Sequence, residues 1–165
     1  IRDIATCIVT HYGKPEMVED YLAYKKSFDA DYAQQVTLYD GVPETIKRLH
    51  PHFKLAVNTG TRHVLVDSIL AKYDLHQYLD NVVAAEDIRR GKPDPESYLL
   101  ACHKLDIVAS DCLVVEDGES GIVSAKKAGC YVVGLTTTFT KDKLYSLGCD
   151  DVINSLAEIM VPSAT

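Results

Sequence analysis

Short apolar runs alternate with helical stretches from Asp40 onward, and this alternation constrains the fold more than any other feature of the chain. The runs are 55–57, 82–84, 113–115, 132–135 and 151–153, and the helical stretches fall at about 61–73, 95–104, 119–129, 141–147 and 155–160. Several runs are apolar throughout, as in strands whose sheet is covered on both faces. Repetition of strand, helix and strand predicts βαβ units and a parallel sheet.

The residues before Thr37 follow a different pattern. Apolar residues recur at helical spacing from Ile4 to Tyr12 and again from Met17 to Val36. Two helices make a thin core by themselves, so we expect residues 1–37 to be the remaining helices of a cap domain and residues 38–165 to be an α/β core domain. The predicted fold is a Rossmann-like three-layer α/β/α sandwich with a mostly parallel sheet, plus a partial helical cap at the N-terminus.

Charge and composition exclude several classes of function. The chain of 165 residues has 17 basic and 24 acidic side chains, a net charge of −7, which argues against nucleic acid or an anionic membrane as a partner. No Gly-x-Gly-x-x-Gly or P-loop motif is present, which argues against a nicotinamide or P-loop site. The five cysteines form no Cys-x-x-Cys pair and mostly lie among apolar residues. We therefore expect reduced core thiols in a cytoplasmic protein, and no zinc site.

Polar residues follow three of the predicted strands, where ligands bind in open parallel sheets. After the first strand, Thr59 offers a hydroxyl and Gly60 lets backbone approach a ligand closely. Free N–H groups of the next helix would point to the same place. Asn58, Gly60 and Arg62 are candidate substrate-binding residues, and Thr59 is a candidate catalytic residue. The alternative is a simple helix-capping turn.

Lys92 follows the second strand in a loop stiffened by Pro93 and Pro95. A fixed ammonium group suits an anionic transition state, so Lys92 is a second candidate catalytic residue. The alternative is a solvated lysine that precedes a helix.

Glu116 and Asp117 end the third apolar run and are followed by Gly118. Hard oxygen donors at a strand end suit Mg²⁺, which takes one or two protein carboxylates together with substrate oxygens and water. Both residues are candidate metal ligands, and Mg²⁺ is the expected cofactor. The alternative is that Asp117 caps the next helix.

Taken together, these segments resemble the haloacid dehalogenase superfamily, in its capped phosphatase and β-phosphoglucomutase-like branch. Segment 55–60 resembles the second family motif, segment 91–95 the third, and segment 115–121 with 125–129 the fourth. The resemblance implies that Thr59 binds the transferring phosphoryl group, that Lys92 stabilises the charged intermediate, and that Asp117 with Glu116 holds Mg²⁺.

The first family motif is absent. In the family it supplies an aspartate nucleophile and a second aspartate two residues on, at the end of an N-terminal strand. Asp29 and Asp31 have that spacing, but they lie in a helical pattern with no apolar strand before them. We therefore expect a missing N-terminal segment of the same protein to supply the nucleophile and a central strand. The 165-residue chain alone would then be inactive.

The function implied is a Mg²⁺-dependent phosphatase that hydrolyses a small phosphorylated metabolite through an aspartyl-phosphate intermediate. Two alternatives stay open: a sugar-phosphate mutase, and a catalytically incomplete module that binds phosphate or metal.

Overall fold

The computed structural model describes residues 15–161, so the helix expected over Ile4–Tyr12 lies outside the described residues. The α-helices are α1 (Val18–Gln35), α2 (Val42–Leu49), α3 (His63–Lys72), α4 (Glu96–Leu105), α5 (Glu119–Ala128) and α6 (Lys141–Ser146). The strands are β1 (Ala56–Asn58), β2 (Asn81–Val83), β3 (Leu113–Glu116), β4 (Tyr131–Leu135) and β5 (Asp151–Ile153). The alternation predicted from the sequence is confirmed. Asp29 and Asp31 lie within α1, as expected.

The helical stretch expected over 155–160 is reduced to one 3₁₀ turn, Leu156–Glu158. The hydroxyl of Ser155 accepts a hydrogen bond from the Ala157 backbone N–H and caps this turn. Pro162 follows closely, and the residue before a proline is disfavoured in the helical region. The apolar stretch is therefore too short, and too close to Pro162, to form a longer helix.

Every strand pairing is parallel, but within residues 15–161 the five strands form two sheets rather than one. β1 pairs with β2, with Val57 opposite Val82, and β4 lies between β3 and β5. In the described part of the chain no ladder joins β1 to β3. The α/β class is as expected, but the sheet is interrupted between the first and third strands.

Helix α4 packs on both sheets and holds them side by side. It contacts β1 and β2, while its residues Tyr98 and Cys102 belong to the main hydrophobic core with Val114 of β3. The other buried members of that core come from α5, β4, α6, β5 and the turns before β4 and β5: Ile122, Ala125, Cys130, Val132, Leu144, Cys149 and Val152. A smaller hydrophobic cluster is formed by Val66 and Leu70 of α3 together with Leu75, which follows this helix.

Helix α1 packs against α3, the helix that follows β1. The Lys72 ammonium donates hydrogen bonds to the carbonyl oxygens of Gln34, at 2.6 Å, and Val36, at 2.8 Å. The Tyr73 hydroxyl also donates to the Val36 carbonyl, at 2.9 Å. These bonds fix the end of α1 on the α/β unit. The division into a cap of residues 1–37 and a core of residues 38–165 stays a prediction.

None of the described helices is both long enough and apolar enough to cross a membrane.

We predict that Leu144→Ala lowers the free energy of unfolding by about 2–5 kcal/mol, because Leu144 is fully buried and its loss leaves a cavity. Leu99→Ala is the matched control, since Leu99 is 47% exposed on α4. It should change stability by less than about 1 kcal/mol. Chemical denaturation measures both, and equal losses would contradict the placement of the core.

Candidate active site

A cavity of about 440 Å³ lies where β1 and β3 end, within the usual size range of ligand pockets. Six of the residues predicted from the sequence line it: Asn58, Thr59, Gly60, Lys92, Glu116 and Asp117. Tyr39, Val115, Leu135, Thr137 and Leu156 complete the lining. Arg62 is not a lining residue; it is the N-cap of α3. The proposed roles of all seven residues stay predictions, but the structure brings six of them together.

Lys92 and Glu116 form a largely buried ion pair at the centre of the cavity wall. The Lys92 Nζ lies 2.6 Å from Glu116 Oε1, and the two side chains are 16% and 14% exposed. The same ammonium donates to the hydroxyl oxygen of Tyr98, at 3.0 Å, and to the backbone carbonyl of Asn58, at 3.3 Å. Three acceptors therefore hold Lys92 in one orientation, and two of them come from the ends of β1 and β3.

The loop that carries Lys92 is held by α5. The Ser124 hydroxyl, fully buried, donates to the backbone carbonyl of Asp94 at 2.6 Å. The Asp94 carboxylate accepts from the Glu96 backbone N–H at 3.0 Å, which closes the turn into α4. The Lys127 ammonium donates to the Pro93 carbonyl at 3.2 Å. The expectation of a stiff loop rested on its two prolines, and these contacts add a second reason.

Tyr98 is a member of this site that the strand-end argument missed. Its hydroxyl donates to Glu116 Oε1 at 2.5 Å, and its ring lies 4.7 Å from the Lys92 ammonium. Burial raises the pKa of Tyr98 well above its ordinary value, and the Glu116 carboxylate raises it further. Tyr98 is therefore a neutral donor. It lies within a helix, so a search of strand ends could not find it.

The Glu116 carboxylate is packed against the first turns of α5. A side chain at Gly121 would overlap it, because an ideal Cβ there would meet all three carboxylate atoms. Its second oxygen, Oε2, accepts from the Gly118 backbone N–H at 3.4 Å. Gly121 is thus the space into which Glu116 fits. The connection from β3 to α5 therefore makes room for the Glu116 carboxylate as well as forming the turn.

The Asp117 carboxylate contacts the residues that follow β4, whereas Glu116 contacts Lys92 and Tyr98. Its Oδ2 accepts hydrogen bonds from the hydroxyls of Thr137 and Thr138, both at 2.7 Å. These threonines follow β4, and Thr137 lines the cavity. Applying the strand-end rule to the fourth strand as well as to the first three would have found Thr137.

The end of β1 supplies the opposite wall. The Thr59 hydroxyl accepts from the Thr61 backbone N–H at 3.0 Å, as in a capping turn, and it keeps its own proton to donate. Both polar atoms of the Asn58 side-chain amide are buried, and no described residue bonds to them. Buried amide groups are normally paired. Asn58 therefore brings a buried amide without a described hydrogen-bond partner to the cavity wall.

The sequence profile of the haloacid dehalogenase-like hydrolase family matches residues 2–135. The chain belongs to this family. Its neighbours in sequence and structure agree with the capped branch of the haloacid dehalogenase (HAD) family that the motifs indicated.

Two curated HAD-type relatives are phosphatases. Validoxylamine A 7'-phosphate phosphatase of Streptomyces hygroscopicus subsp. limoneus is 35% identical over 148 residues, which cover 89% of this chain and 67% of that relative. Phosphoglycolate phosphatase of Salmonella typhi is 31% identical over 162 residues, which cover 92% of this chain and 64% of that relative. The chain thus spans about two thirds of the length of these relatives.

Solved structures give the same result for the fold. A putative β-phosphoglucomutase from Thermotoga maritima superposes with a TM-score of 0.65 at 31% identity, over 70% of this chain and 55% of that one. A HAD hydrolase of family IA, variant 3, from Entamoeba histolytica gives 0.74 at 28% identity, over 93% and 73% of the two chains. The Rossmann-like α/β fold is therefore shared with these proteins.

We predict that Gly121→Ala destabilises the protein by about 1–3 kcal/mol, the usual cost of overpacking, because its methyl group would displace the Glu116 carboxylate. The sign is diagnostic, since Gly→Ala within a helix otherwise stabilises by about 0.5–1 kcal/mol. Gly118→Ala is the control: a Cβ there lies at an ordinary contact distance, 3.7 Å, from Glu116 Oε2. Urea unfolding of the two variants compares them, and a stabilised Gly121→Ala protein would disprove this packing.

Proposed function

We propose that this HAD-type chain is the core of a Mg²⁺-dependent phosphatase that hydrolyses a small phosphorylated metabolite through an aspartyl-phosphate intermediate. The observation that carries the proposal is that Thr59, Lys92 and Asp117 line one cavity at the ends of two parallel strands. A hydroxyl, an ammonium and a carboxylate are the complementary groups that phosphoryl transfer needs. The phosphatase relatives support this class of substrate.

The nucleophile, in this proposal, comes from a strand that residues 15–161 do not supply. Three observations support it. β1 and β3 have no ladder partner on the sides that face each other in the described structure, the ends of both line one cavity, and the Asn58 amide is buried beside it without a described partner. A parallel strand between β1 and β3 would pair both edges and bring its own carboxyl end to the cavity. An aspartate there would stand opposite Lys92.

The charges that line the cavity favour the binding of a divalent cation. Among the described lining residues, the positive charge of Lys92 is balanced by the negative charge of Glu116. The Asp117 carboxylate therefore leaves the lining with one net negative charge. An anionic phosphate would be repelled by this wall without a compensating cation. Asp117, with the adjacent Thr137 hydroxyl, offers the hard oxygen donors that Mg²⁺ prefers. Bound Mg²⁺ would supply charge neutralisation of the phosphate oxygens.

The chain's own residues then have distinct tasks. The Thr59 hydroxyl donates to a phosphoryl oxygen, and Gly60 lets the backbone approach it. Lys92 places a positive charge at the same oxygens, held there by Glu116 and Tyr98. Because Lys92 already engages Glu116 Oε1, Asp117 is the stronger candidate for the first carboxylate ligand of Mg²⁺, with Glu116 as the second.

A sugar-phosphate mutase is the second candidate, favoured by the 31% identity to the putative β-phosphoglucomutase structure. The two enzymes differ in the acceptor of the phosphoryl group. A phosphatase releases inorganic phosphate, whereas a mutase returns the group to the sugar as an isomeric phosphate. Assaying the intact protein on a panel of sugar phosphates and small phosphorylated acids, with both products measured, separates them. Binding of phosphate without either product would leave the binding-module alternative.

The proposed intermediate can be located directly. Acid quenching of the intact protein during turnover, followed by peptide mass spectrometry, should place a phosphoryl adduct on an aspartate outside residues 15–161. An adduct on Asp29 or Asp31 would contradict the strand proposal.

We predict that Lys92→Ala lowers kcat by about 10²-fold or more, by analogy with the removal of one preorganised donor. Lys104→Ala is the control, because Lys104 lies at the C-terminal end of α4 and does not line the cavity. Steady-state kinetics on the best substrate measure both variants. A normal kcat for Lys92→Ala would remove this residue from the site.

We predict that Asp117→Asn raises the Mg²⁺ concentration required for half-maximal activity, because an amide oxygen is a weaker ligand than a carboxylate oxygen for a hard cation. Asp111→Asn, at an exposed position before β3, is the control. Activity is titrated with MgCl₂ after chelator treatment. If the two variants require the same Mg²⁺ concentration as the parent, Asp117 is not a ligand.

A further inference from the structure

Three cysteines from three separate elements meet at the amino ends of β3 and β4. Cys102 belongs to α4, Cys112 directly precedes β3, and Cys130 directly precedes β4. Their sulfur atoms all lie within 4.8 Å of one another. All three are free thiols, as is Cys149, which lies outside the cluster.

Strand register explains why two of these cysteines are adjacent. Leu113 pairs with Tyr131 in the parallel ladder of β3 and β4, so the residues just before them lie side by side. The Tyr131 backbone N–H donates to the Cys112 carbonyl at 3.0 Å, which extends the pairing to that position. Residues at matching positions of parallel strands present their side chains to the same face.

Helix α4 brings the third sulfur. Cys102 and Cys130 belong to the same buried core cluster, and Cys112 packs against it. Cys102 and Cys130 are only 4% and 2% exposed, whereas Cys112 is partly exposed. The cluster thus has a closed inner side and an opening to solvent beside Cys112.

The cluster is separate from the candidate active site. That cavity lies at the carboxyl ends of the strands, and its lining includes none of the three cysteines. The four residues of β3 span about 13 Å, which separates the two ends of the sheet.

We propose that Cys102, Cys112 and Cys130 bind a thiophilic d¹⁰ cation of the Zn²⁺ and Cd²⁺ type through three sulfur ligands. At the metal–sulfur distance of about 2.3 Å, tetrahedral ligands lie about 3.8 Å apart, so the sulfurs need only small shifts to surround an ion. Soft thiolate ligands select ions of this class. The opening beside Cys112 provides an entry path and room for water as the fourth ligand.

The thiol chemistry supports the geometry. The neighbouring Cys130 sulfur lowers the pKa of the Cys112 thiol below its ordinary value. The thiolate is the form that binds metal, and Cys112 is the partly exposed member of the cluster. Binding of the ion would release thiol protons to solvent.

The spacing rule that argued against a zinc site does not detect this arrangement. That rule looks for ligands a few residues apart in sequence. Here the first two cysteines are ten positions apart and the last two are eighteen positions apart, and tertiary packing assembles the cluster.

The test is a titration of the intact protein with Cd²⁺, followed through the thiolate-to-metal charge-transfer absorption in the near ultraviolet. The protein is reduced with a phosphine and carries Cys7→Ser in every sample, because Cys7 lies outside the described residues. We expect one Cd²⁺ per chain.

The matched pair of variants is Cys112→Ser and Cys149→Ser, each of which removes one thiol. Cys112→Ser should weaken Cd²⁺ binding by at least about 10–100-fold, the loss that outer-shell changes alone can cause. Cys149→Ser should bind as the parent does. Absence of stoichiometric binding, or equal effects of the two substitutions, would overturn the proposal.

A second measurement keeps the test decisive if a variant does not fold. In the parent protein, Cd²⁺ should slow alkylation of the partly exposed Cys112, as measured by peptide mass spectrometry, and leave the rate at Cys149 unchanged. Unaltered alkylation of Cys112, or equal protection of Cys149, would overturn the proposal independently of any substitution.

Discussion

The ion pair between Lys92 and Glu116 is the contact on which the arrangement of the site depends. Removing two charges from water is costly, and the pair is retained only because further groups satisfy it. Tyr98 donates to the carboxylate and accepts from the ammonium, and the Asn58 carbonyl accepts a third bond from Lys92. Since these partners come from β1, α4 and β3, the pair joins the facing ends of two sheets that share no ladder in the described structure. The cavity is the space that remains beside it.

Helix α4 links this contact to the rest of the fold. Tyr98 and Cys102 are four residues apart, so they lie on the same face of the helix. The first faces the ion pair, and the second belongs to the thiol cluster near the opposite end of β3. Both also belong to the main core. A shift of α4 along its axis would therefore disturb the core, the ion pair and the thiol cluster together, which explains how one short helix can fix two chemically distinct regions.

Sequence patterns predicted most of the elements and much of the site, and the misses have physical causes. Continuous apolar runs located the strands because burial on both faces is a local signal. The strand-end rule located Thr59, Lys92 and Asp117 because parallel strands deliver their carboxyl ends to one edge. Tyr98 was missed because its role depends on which way α4 faces, and the cysteine cluster because it depends on strand register. The interruption between β1 and β3 was foreseen only through the absent family motif, since local patterns do not encode strand order.

The facing edges of β1 and β3 have one more consequence, which concerns self-association. An unpaired strand edge is a template for pairing with any extended chain, and proteins usually blunt or cover such edges. Here the carboxyl ends of both strands border the cavity with its polar wall and ion pair, while apolar Val57 and Val115 directly precede those ends in β1 and β3. A chain without a strand between β1 and β3 would pair these edges with strands of other copies as its concentration rises. The strand proposed above to complete the sheet would then also oppose self-association, because it would fill the position that another copy would otherwise occupy.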